Sequence, residues 1–396
     1  MSGDGISVAV VGGSLGGLTT ALVLRDIGCD VTVFERSTEE LEARGAGIVV
    51  LPETSRYLVE RVGLPLDAFT CSTERLRYLA SDGSVVHDEH RPYRYSGWRT
   101  IYAALLGAFG RDRYLLGADV TGFGGDHGYC EIFTADGRRH SVGLLVFADG
   151  SGSRARADFF PDLVPAYAGY VAWRGTVPES ALSPAARAAF DDALVYEVIP
   201  RSHILVYPIP GEDGSTARGE RLLNFVWYRN YAAGPELDAL MTDRDGLLRE
   251  RTLPPGAATD DNVAETRAFA AANLAPAIAE LVEATERPFV QAIYDLEVPR
   301  MAFGRTCLLG DAAFVIRPHI AAGTAKACAD AWALAKAVDE DFEGHPSCAL
   351  RDWEPGRLAA GRAALERARR NGIRSQFEGT WDPADPALAF GLTDPA

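Results

Sequence analysis

The stretch that decides the fold is VAVVGGSLGGLTTALVLRDIG, residues 8–28, which is followed by VTVFERS, residues 31–37. An apolar run leads into the glycine-rich turn, an amphipathic segment follows, and a second apolar run ends at Glu35. The order therefore predicts strand, turn, helix and strand. Gly12 permits the tight turn, and Gly17 lets the helix pack closely on the strand. The free N–H groups and the positive dipole end of the helix N-terminus suit the pyrophosphate of a dinucleotide.

The side chains of this first segment fit a dinucleotide site with one departure. Glu35 lies 18 residues after Gly17, close to the spacing of about 20 at which an acidic residue accepts from a ribose hydroxyl. Ser14 stands where the middle glycine normally allows the closest backbone approach, and a serine is small enough to be tolerated. The alternative is a glycine-rich turn in an ordinary βαβ unit. The candidate cofactor-binding residues here are Gly12, Ser14, Leu15, Gly17, Glu35 and Arg36.

Two later motifs favour the dinucleotide interpretation. In RTCLLGDAAFVIRPHIAAGTAKACADAWALAKAV, residues 305–338, an apolar strand ends at Gly310 and Asp311, and a loop then runs into a long helix. A further motif is VFADGSGSRAR, residues 146–156. With these three motifs, the chain resembles the FAD-dependent aromatic hydroxylases, which are class A flavoprotein monooxygenases with the p-hydroxybenzoate hydroxylase fold. The resemblance spans most of the chain.

The resemblance implies which residues contact FAD. The carboxylate of Asp311 would accept from a ribityl hydroxyl, and the helix after it would point its N-terminus at the flavin pyrimidine ring. Members of the family usually carry Gly where Phe147 stands and His where Phe314 stands, so both positions depart from the pattern. The implied backbone contacts at the helix N-terminus are Ala321, Ala322, Gly323 and Thr324. The remaining implied FAD contacts are Val49, Arg99, Val120 and Asp149.

The resemblance also implies the reaction. NADH or NADPH reduces the flavin in the presence of substrate, O2 forms a flavin C4a-hydroperoxide, and an electron-rich hydroxylated ring attacks the distal oxygen. The loop RPHIAAGTAKAC, residues 317–328, and the segments YVAWRG and LLNFVWYRN are similar to the branch of the family that hydroxylates dihydroxypyridines. We therefore expect an FAD-dependent, NAD(P)H-consuming monooxygenase that acts on a dihydroxypyridine and requires no metal.

Two alternatives stay open at this point. The first keeps the chemistry and replaces the substrate by a phenolic or polyketide-like secondary metabolite. The second belongs to another class, a non-catalytic FAD-binding regulatory module, which the departures at Phe147 and Phe314 would support. The small-molecule partners expected of the enzyme are an aromatic substrate and O2.

The catalytic candidates are Pro318 and His319. In the family this proline lies beside the reactive flavin edge, and His319 follows it directly. A histidine has an ordinary pKa near 6.5, which suits a base that deprotonates a ring hydroxyl near neutral pH. The alternative is a buried histidine whose hydrogen bonds are satisfied.

The substrate-binding candidates lie on two aromatic-rich strands, HILVYPIP at 203–210 and LLNFVWY at 222–228. Since side chains alternate between the faces of a strand, one face of each must look toward the flavin. Alternation alone does not decide which face does so, and the aromatic side chains could equally be core. The candidates are His203, Tyr207, Asn224 and Tyr228. Arg174 could bind a carboxylate or an anionic ring, although we expect a structural salt bridge there.

Composition excludes several classes of protein. The chain has 396 residues, 47% hydrophobic and 24% charged, with a net charge of −16. Nucleic acids and anionic membranes would require a basic face, so we expect neither as a partner. No apolar stretch approaches the ~18 residues of a membrane span, and no basic region precedes the first apolar run, so we expect a cytoplasmic location. The six cysteines contain no CxxC pair and are expected to be reduced thiols.

The predicted fold class is α/β, with a Rossmann-like FAD-binding domain interleaved with a mixed β-sheet substrate domain, plus a C-terminal helix. A homodimer is allowed by the sequence but not specified by it. The predicted FAD-binding domain comprises residues 1–70, 99–160 and 291–355. The predicted substrate domain comprises 71–98 and 161–290, and 356–396 form the C-terminal helix and tail.

Overall fold

The computed structural model describes residues 5–41, 46–125, 128–341 and 345–393. The βαβ unit predicted at the start of the chain is present. Strand β1 (Ser7–Val11) leads through the glycine-rich turn into helix α1 (Leu15–Asp26), and β2 (Asp30–Phe34) pairs with β1 in parallel. The residues of β1 after Ser7 are buried, as expected of a central parallel strand covered on both faces.

This unit belongs to a six-stranded sheet, in which all neighbours pair in parallel except β17 with β18. The carboxyl ends of β1, β10 and β18 lie side by side, because Val11 pairs with Phe147 and Phe147 with Leu308. The three sequence motifs directly follow these strands and therefore meet at one edge of the sheet. The order is β17 (Ala302–Phe303), β18 (Thr306–Leu308), β10 (Leu144–Phe147), β1, β2 and β6 (Tyr114–Leu115).

Helices and a small sheet complete this part of the molecule. Helix α9 (Gly323–Glu340) packs on α1, on α2 (Pro52–Glu60) and on α10 (Pro346–Ile373). Helix α3 (Trp98–Phe109) also packs on α1. Residues 122–125 lie in strand β7, which pairs in antiparallel with β8, and residues 126 and 127 lie outside the described residues. The other elements here are β7 (Val120–Gly125), β8 (Cys130–Thr134), β9 (Arg139–Val142) and α4 (Arg154–Phe159).

A second, larger sheet contains the aromatic-rich strands and is mostly antiparallel, with β12 and β4 pairing in parallel. Its order is β15-β16-β11-β14-β13-β12-β4-β5-β3, and β19 pairs with β16. The strands are β3 (Gly47–Val49), β4 (Cys71–Leu79), β5 (Val85–Gly97), β11 (Ala166–Pro178), β12 (Ala193–Ile199), β13 (Ser202–Ile209), β14 (Leu222–Asn230), β15 (Thr252–Leu253), β16 (Phe289–Glu297) and β19 (Phe314–Val315).

The two faces of the larger sheet have different neighbours, and the period of two predicted this division. Trp173, Phe225 and Trp227 belong to a core with Leu240 and Leu281 of the covering helices. Tyr170, Tyr207 and Tyr228 belong to a separate core on the opposite face, together with residues of α9 and α10. The covering helices are α5 (Pro184–Phe190), α6 (Pro235–Met241), α7 (Asp260–Asn273) and α8 (Pro276–Glu283).

The C-terminal helix starts earlier than the sequence predicted. It begins at Pro346 rather than at residue 356. Pro346 occupies the first turn, and a second proline, Pro355, lies inside the helix. Proline at the first helical position is favourable because its missing N–H has no helical partner there in any case. Arg367 is 3% exposed and donates to the Gly391 carbonyl oxygen at 2.7 Å. This basic residue of the helix is therefore part of the packed interior and not of a solvated face.

The six cysteines are free thiols. Within the described ranges, no helix is long and apolar enough to cross a membrane. Among those same residues, no group of three His, Cys, Asp or Glu side chains is arranged to hold a metal ion. The predicted domain boundaries stay a prediction, and strand β3 from the first predicted range and β19 from the last both pair with the larger sheet.

Candidate active site

Two cavities meet between the two sheets. The larger one, about 370 Å³, lies between the larger sheet, strand β3 and the N-terminus of α9. The smaller one, about 150 Å³, extends toward the glycine-rich turn after β1. Their shared lining residues are Trp98, Asp311, Gly323 and Thr324. The two cavities thus form one elongated cleft that links the first sequence motif to the face of the larger sheet.

The glycine-rich turn has the geometry that its sequence predicts. Gly12 has φ +101°, and a Cβ there would collide with the Ala148 carbonyl group. A Cβ on Gly17 would collide with the Gly12 carbonyl oxygen, so close packing of α1 on the turn requires glycine. Ser14 is the N-cap of α1 and makes no side-chain cap hydrogen bond, and it lines the smaller cavity together with Leu15. The first-turn N–H groups of α1 have no intrahelical partner, as at any helix N-terminus.

Glu35 is fixed at the end of β2 by backbone donors. Its Oε2 accepts from Gly13 N at 2.9 Å and its Oε1 accepts from Ser37 N at 2.8 Å. The residue is 5% exposed. Each carboxylate oxygen has a further lone pair, so the group can still accept from a ribose hydroxyl. Arg36 is exposed and lines neither cavity.

The third motif joins the first two. Asp149 Oδ2 accepts from Arg154 N at 3.0 Å, and burial raises the pKa of this carboxyl. Its other oxygen is buried without a hydrogen-bond partner within the described chain, which is an unsatisfied acceptor next to the turn. Arg156 donates to the Ala312 carbonyl oxygen at 3.0 Å, connecting this motif to the Gly-Asp loop. Val120 is buried, and its carbonyl oxygen accepts from Arg154 at 3.4 Å.

Asp311 lies where the two cavities meet. Other parts of the chain surround Asp311. Its side chain is nevertheless exposed, because it faces the two cavities. Burial raises the pKa of its carboxyl, and the nearby Lys326 and Arg156 partly oppose that effect. A buried ion pair fixes the preceding residue, since Lys326 Nζ lies 2.7 Å from Asp330 and Gly310 N donates to the same carboxylate at 3.1 Å. The carboxylate of Asp311 is thus held toward the cleft.

The loop before α9 presents backbone to the cleft. Ala321 has φ +53°, a left-handed conformation that is uncommon for a residue with a side chain. Gly323 and Thr324 line both cavities, and a Cβ on Gly323 would meet nothing within 4 Å. The first N–H groups of α9 lack intrahelical partners, whereas the Lys326 N–H already bonds to the Ala322 carbonyl oxygen at 2.8 Å. Ala322 itself is fully buried.

These groups fit FAD. The N-terminus of α1 lines the smaller cavity, and the N-terminus of α9 and the Asp311 carboxylate lie where the two cavities meet. Asp149, which has a carboxylate oxygen without a partner within the described chain, lies between Ala148 and Gly150 of the smaller cavity. Such donors and acceptors match the pyrophosphate, ribityl and pyrimidine groups of the cofactor. Val49 lines the larger cavity, whereas Arg99 is exposed and lines neither cavity.

The substrate-side candidates divide into two groups. Tyr207 and Tyr228 line the larger cavity. Asn224 does not line it, and its Oδ1 instead accepts from Gly47 N at 2.8 Å. Tyr207 donates to the Gly47 carbonyl oxygen at 2.8 Å. The two side chains therefore hold β3, which is the edge strand of the larger sheet and a wall of the cleft, against strands β13 and β14.

His319 and His203 lie behind the cavity wall. His319 is 3% exposed, its Nε2 lies 2.7 Å from Tyr170 Oη, and its ring centroid is 4.5 Å from that of Tyr228. Neither histidine is among the described residues that line the larger cavity, while Pro318 is. Burial lowers the pKa of His203 to about 3 and lowers the pKa of His319 well below 6.5. Both rings are therefore neutral near pH 7 and weak bases.

The two departures from the family pattern are core residues. Phe147 is 2% exposed and its ring centroid lies 4.9 Å from that of Phe123. Phe314 is fully buried and packs on Gly361, where a Cβ would collide with its ring. Neither phenylalanine lines either of the two cavities in the described structure. Both positions thus contribute packing rather than contacts within the cleft.

Sequence reasoning missed several wall residues. Trp98 lines both cavities, and Gln291, Ile293 and Arg251 line the larger one. Strand β16 carries an alternating pattern that marks Gln291 and Ile293 as one face, but the sequence does not tell which face meets the cavity. The salt bridge expected for Arg174 is wrong, because this guanidinium has no ion pair in the described part of the chain and lines the larger cavity.

The fold and the cleft define the class of an FAD-dependent oxidoreductase. A family model described as FAD binding domain-like matches residues 167–295, and one described as pyridine nucleotide-disulphide oxidoreductase matches residues 7–49. The second match covers the βαβ unit, and the paired cysteines of disulphide reduction are absent from the sequence.

Similar proteins narrow the class. The chain is 37% identical over 386 residues to 2,6-dihydroxypyridine 3-monooxygenase of Paenarthrobacter nicotinovorans, covering 97% of this chain and 95% of the relative. It is 28% identical to 3-amino-4-hydroxybenzoate 2-monooxygenase of Streptomyces cremeus, covering 92% and 86%. The solved structure of 2,6-dihydroxypyridine-3-hydroxylase from Arthrobacter nicotinovorans superposes with a TM-score of 0.92 at 34% identity, covering 99% and 98%.

The chain belongs to the family of FAD-dependent aromatic-ring monooxygenases, the hydroxylases that use NAD(P)H and O2. The predicted family, α/β fold class, cofactor and reaction type are thereby confirmed. The individual roles predicted for residues of the cleft stay predictions.

Proposed function

We propose that this monooxygenase hydroxylates a ring carbon of a dihydroxypyridine. The observation that carries the proposal is the larger cavity, whose wall combines the apolar side chains Leu205 and Val226 with the phenols of Tyr207 and Tyr228. Such a wall suits a small, flat, polar ring. The 37% identical relative, which is named for 2,6-dihydroxypyridine and aligns over nearly its whole length, supports the same substrate class.

The smaller cavity would hold the dinucleotide part of FAD. The N-terminus of α1 would bind the pyrophosphate, Glu35 the ribose, and Asp311 a ribityl hydroxyl. The N-terminus of α9, with Ala321 and Ala322 before it, would donate to the pyrimidine edge of the flavin. The chemistry that bound FAD supplies is transfer of electrons from NAD(P)H to O2.

The larger cavity would hold the substrate between Pro318 and the larger sheet. Tyr207, Tyr228 and Leu205 exclude water from the ring and fix its plane. A dry site matters because water promotes loss of the activated oxygen as H2O2 instead of its transfer to the ring. Val49 and Pro318 would set the distance between the ring and the cofactor.

We assign His319 a supporting role rather than direct proton transfer. Its ring packs against Tyr228, which does line the cavity, and its Nε2 is engaged by Tyr170. A His319→Ala variant would leave a space behind Tyr228 and misplace that phenol. Because the lowered pKa keeps His319 neutral, we expect no loss of activity attributable to its titration between pH 6 and 8.

We also propose a cytoplasmic location, which the free thiols and the use of NAD(P)H support.

The test is a substrate panel with the FAD-loaded enzyme. NADH and NADPH consumption and product mass are measured with 2,6-dihydroxypyridine, hydroxynicotinates, phenols and salicylates. We expect a dihydroxypyridine to gain one oxygen, coupled to consumption of one reductant. Turnover of a phenol or larger aromatic without any pyridine would move the substrate to the phenolic or polyketide-like class. Tight FAD binding without reduction of the flavin by NADH or NADPH in the presence of any ring compound would support the non-catalytic module.

A further inference from the structure

Arg174 brings a positive charge into the substrate cavity. On strand β11 its direct partners are Val226 of β14 and Phe289 of β16. Residues directly opposite each other in a sheet share a face, and Val226 lines the larger cavity together with Arg174. Tyr170 and Ala172, which alternate with Arg174, belong to the core on that same face. The strand therefore directs the guanidinium toward the cavity and not into the helix-covered core.

The guanidinium is poorly satisfied where it lies. Its Nε is buried without a hydrogen-bond partner within the described residues, and NH1 makes a 3.4 Å bond to the Gln291 Oε1. Within the described ranges it has no carboxylate within 4 Å, although the chain as a whole has a net charge of −16. Buried charged groups in proteins are normally paired, so this arrangement is unusual. Because Arg174 lines the larger cavity, its charge and the terminal N–H groups of its guanidinium, rather than the enclosed Nε, are available to a ligand.

The rest of the cavity wall is short of negative charge on this side. Its charged lining residues are Arg174, Arg251 and Asp311. Asp311 stands at the end shared with the smaller cavity, where it faces the expected position of the ribityl chain. The positive charge of Arg174 also acts on the cavity phenols, because it opposes the effect of burial on the pKa of Tyr207 and of Tyr228. An oxygen anion in the larger cavity would be stabilised in the same way.

We propose that Arg174, with Gln291 beside it, is an anion subsite that binds a negatively charged oxygen of the aromatic substrate and so determines specificity. This inference rests on the proposed function and narrows it to rings that carry an anionic oxygen. The oxygen can be a deprotonated ring hydroxyl or a ring carboxylate. In either case a guanidinium provides charge-assisted hydrogen bonds in a fixed plane.

The subsite gives a reason why the reaction needs no titrating histidine. A hydroxylated ring becomes a stronger nucleophile when its hydroxyl loses the proton. A neighbouring guanidinium lowers the pKa of that hydroxyl, so the ring would bind as the anion near neutral pH, with the proton released to solvent. The neutral, buried His319 would then not be required as the base.

The test measures ligand dissociation constants with the FAD-loaded enzyme, from the change in flavin absorbance, between pH 5 and 9. Three ligands separate the possibilities: 2,6-dihydroxypyridine, which can become a ring-oxygen anion; 2,6-diaminopyridine, which has a similar size and cannot; and salicylate, which carries a carboxylate. The variants are Arg174→Gln, Arg174→Lys and, as a matched loss of an exposed arginine, Arg362→Gln.

We expect Arg174→Gln to weaken binding of 2,6-dihydroxypyridine by about 10-fold or more and to remove its pH dependence. Binding of 2,6-diaminopyridine should change little, Arg174→Lys should recover part of the affinity, and Arg362→Gln should match the wild type. Loss of salicylate affinity alone would assign the subsite to a carboxylate. If Arg174→Gln is not folded, as judged by its FAD content and melting curve, Arg174→Lys must still weaken the anionic ligand selectively.

Unchanged affinity of the variant for every anionic ring would overturn the subsite. So would an effect confined to the KM for NADH or NADPH, because Arg174 would then serve the nucleotide. If no pyridine binds the wild type but salicylate binds and depends on Arg174, the dihydroxypyridine proposal fails and the subsite stands. If the wild type binds none of the anionic rings, the subsite is wrong as well.

Discussion

The end of the cleft that we assign to FAD consists mainly of backbone, whereas the end that we assign to the substrate consists mainly of side chains. At the first end, Gly12 and Gly17 are required by collisions that any Cβ would cause, and helix N-termini supply the donors. At the second end, Tyr228 and Arg174 project from a regular sheet. A cofactor site built from backbone requires glycine at fixed positions. The specificity of a substrate site built from side chains can instead be changed by substituting one residue at a time.

The largest expected effect is at the backbone end. In Gly17→Ala the new Cβ would collide with the Gly12 carbonyl oxygen, and neither atom belongs to a flexible side chain. The turn or α1 must shift, so we expect FAD affinity to fall by roughly 100-fold or more and the melting temperature to fall. The measurements are FAD retention on gel filtration and thermal unfolding.

Gly356→Ala is the control for this substitution. Gly356 lies in helix α10, and a Cβ there would meet nothing within 4 Å. Since alanine is the better helix former by about 1 kcal/mol, the control should be neutral or more stable and should retain FAD. Equal FAD affinity in Gly17→Ala and the control would contradict the view that backbone shape sets the first end.

A medium effect is expected where the two ends are joined. In Asn224→Leu the buried Gly47 N–H loses its acceptor, which costs about 1 to 3 kcal/mol. Because Gly47 lies on β3, a wall of the cleft, we expect the variant to melt at a lower temperature and to bind FAD more weakly. The readouts are thermal unfolding and the flavin dissociation constant.

Tyr207→Phe gives the comparison for that junction. It removes the bond to the Gly47 carbonyl oxygen, an oxygen with a second lone pair, so the loss should be nearer 1 kcal/mol. A larger loss of thermal stability or of FAD affinity in Tyr207→Phe than in Asn224→Leu would contradict this order. It would show that the phenol acts in the cavity more than through its hydrogen bond to β3.

The smallest expected effect is on the helix-covered side of the larger sheet and is pH-dependent. Glu197 of β12 is 1% exposed, and burial raises the pKa of its carboxyl from 4.5 to about 7. Between those two pH values the folded protein keeps a proton that the unfolded chain has released. Stability therefore falls as the pH rises from 4.5 through 7.

A Glu197→Gln variant should lose this component of the pH dependence. The amide oxygen can still accept from Ala275 N, which lies 2.8 Å from the carboxylate in the wild type. At pH 8 we expect the variant to melt roughly 2 °C or more above the wild type, and near pH 4.5 we expect similar values. FAD content should be the same at both pH values. A larger difference at pH 4.5 than at pH 8 would reverse the assigned sign.

The backbone end of the cleft was predictable because its steric and electrostatic requirements restrict which residue types can occupy fixed positions in the sequence. Glycine at positions 12 and 17, an acidic residue at the end of β2 and the Gly-Asp pair after β18 each follow from a local steric or electrostatic need. Parallel strand ends meet at one sheet edge, so motifs separated by about 150 residues each could be placed together.

The substrate end was less predictable. Alternation along a strand gives the face on which a side chain lies, but it does not give what packs against that face at each position. His203 and Tyr207 share one face of β13, yet Tyr207 reaches the cavity while His203 lies against Gln376 of the C-terminal segment. His319 directly follows Pro318, and a turn of the chain places one at the cavity and the other behind it. Such differences depend on what covers each stretch of the face.

Helix α10 was missed at its start for a similar reason. Pro355 resembles a helix breaker, and the amphipathic pattern is clear only after it. In the structure the helix continues through this proline, and Trp353 on the preceding turn donates its indole N–H to the Asp330 carbonyl oxygen at 3.1 Å. Tertiary packing on α9 outweighs the local cost of the proline.

The contact between α1 and α9 also determines the order in which the enzyme can mature. Thr19 Oγ1 lies 3.5 Å from Cys328 Sγ, and a Cβ on Gly16 would touch that of Ala327. The first glycine-rich turn leaves the ribosome early, but its partner helix is synthesised about 300 residues later. The cleft is therefore incomplete until α9 has been made, so we expect flavin capture to follow synthesis of that helix.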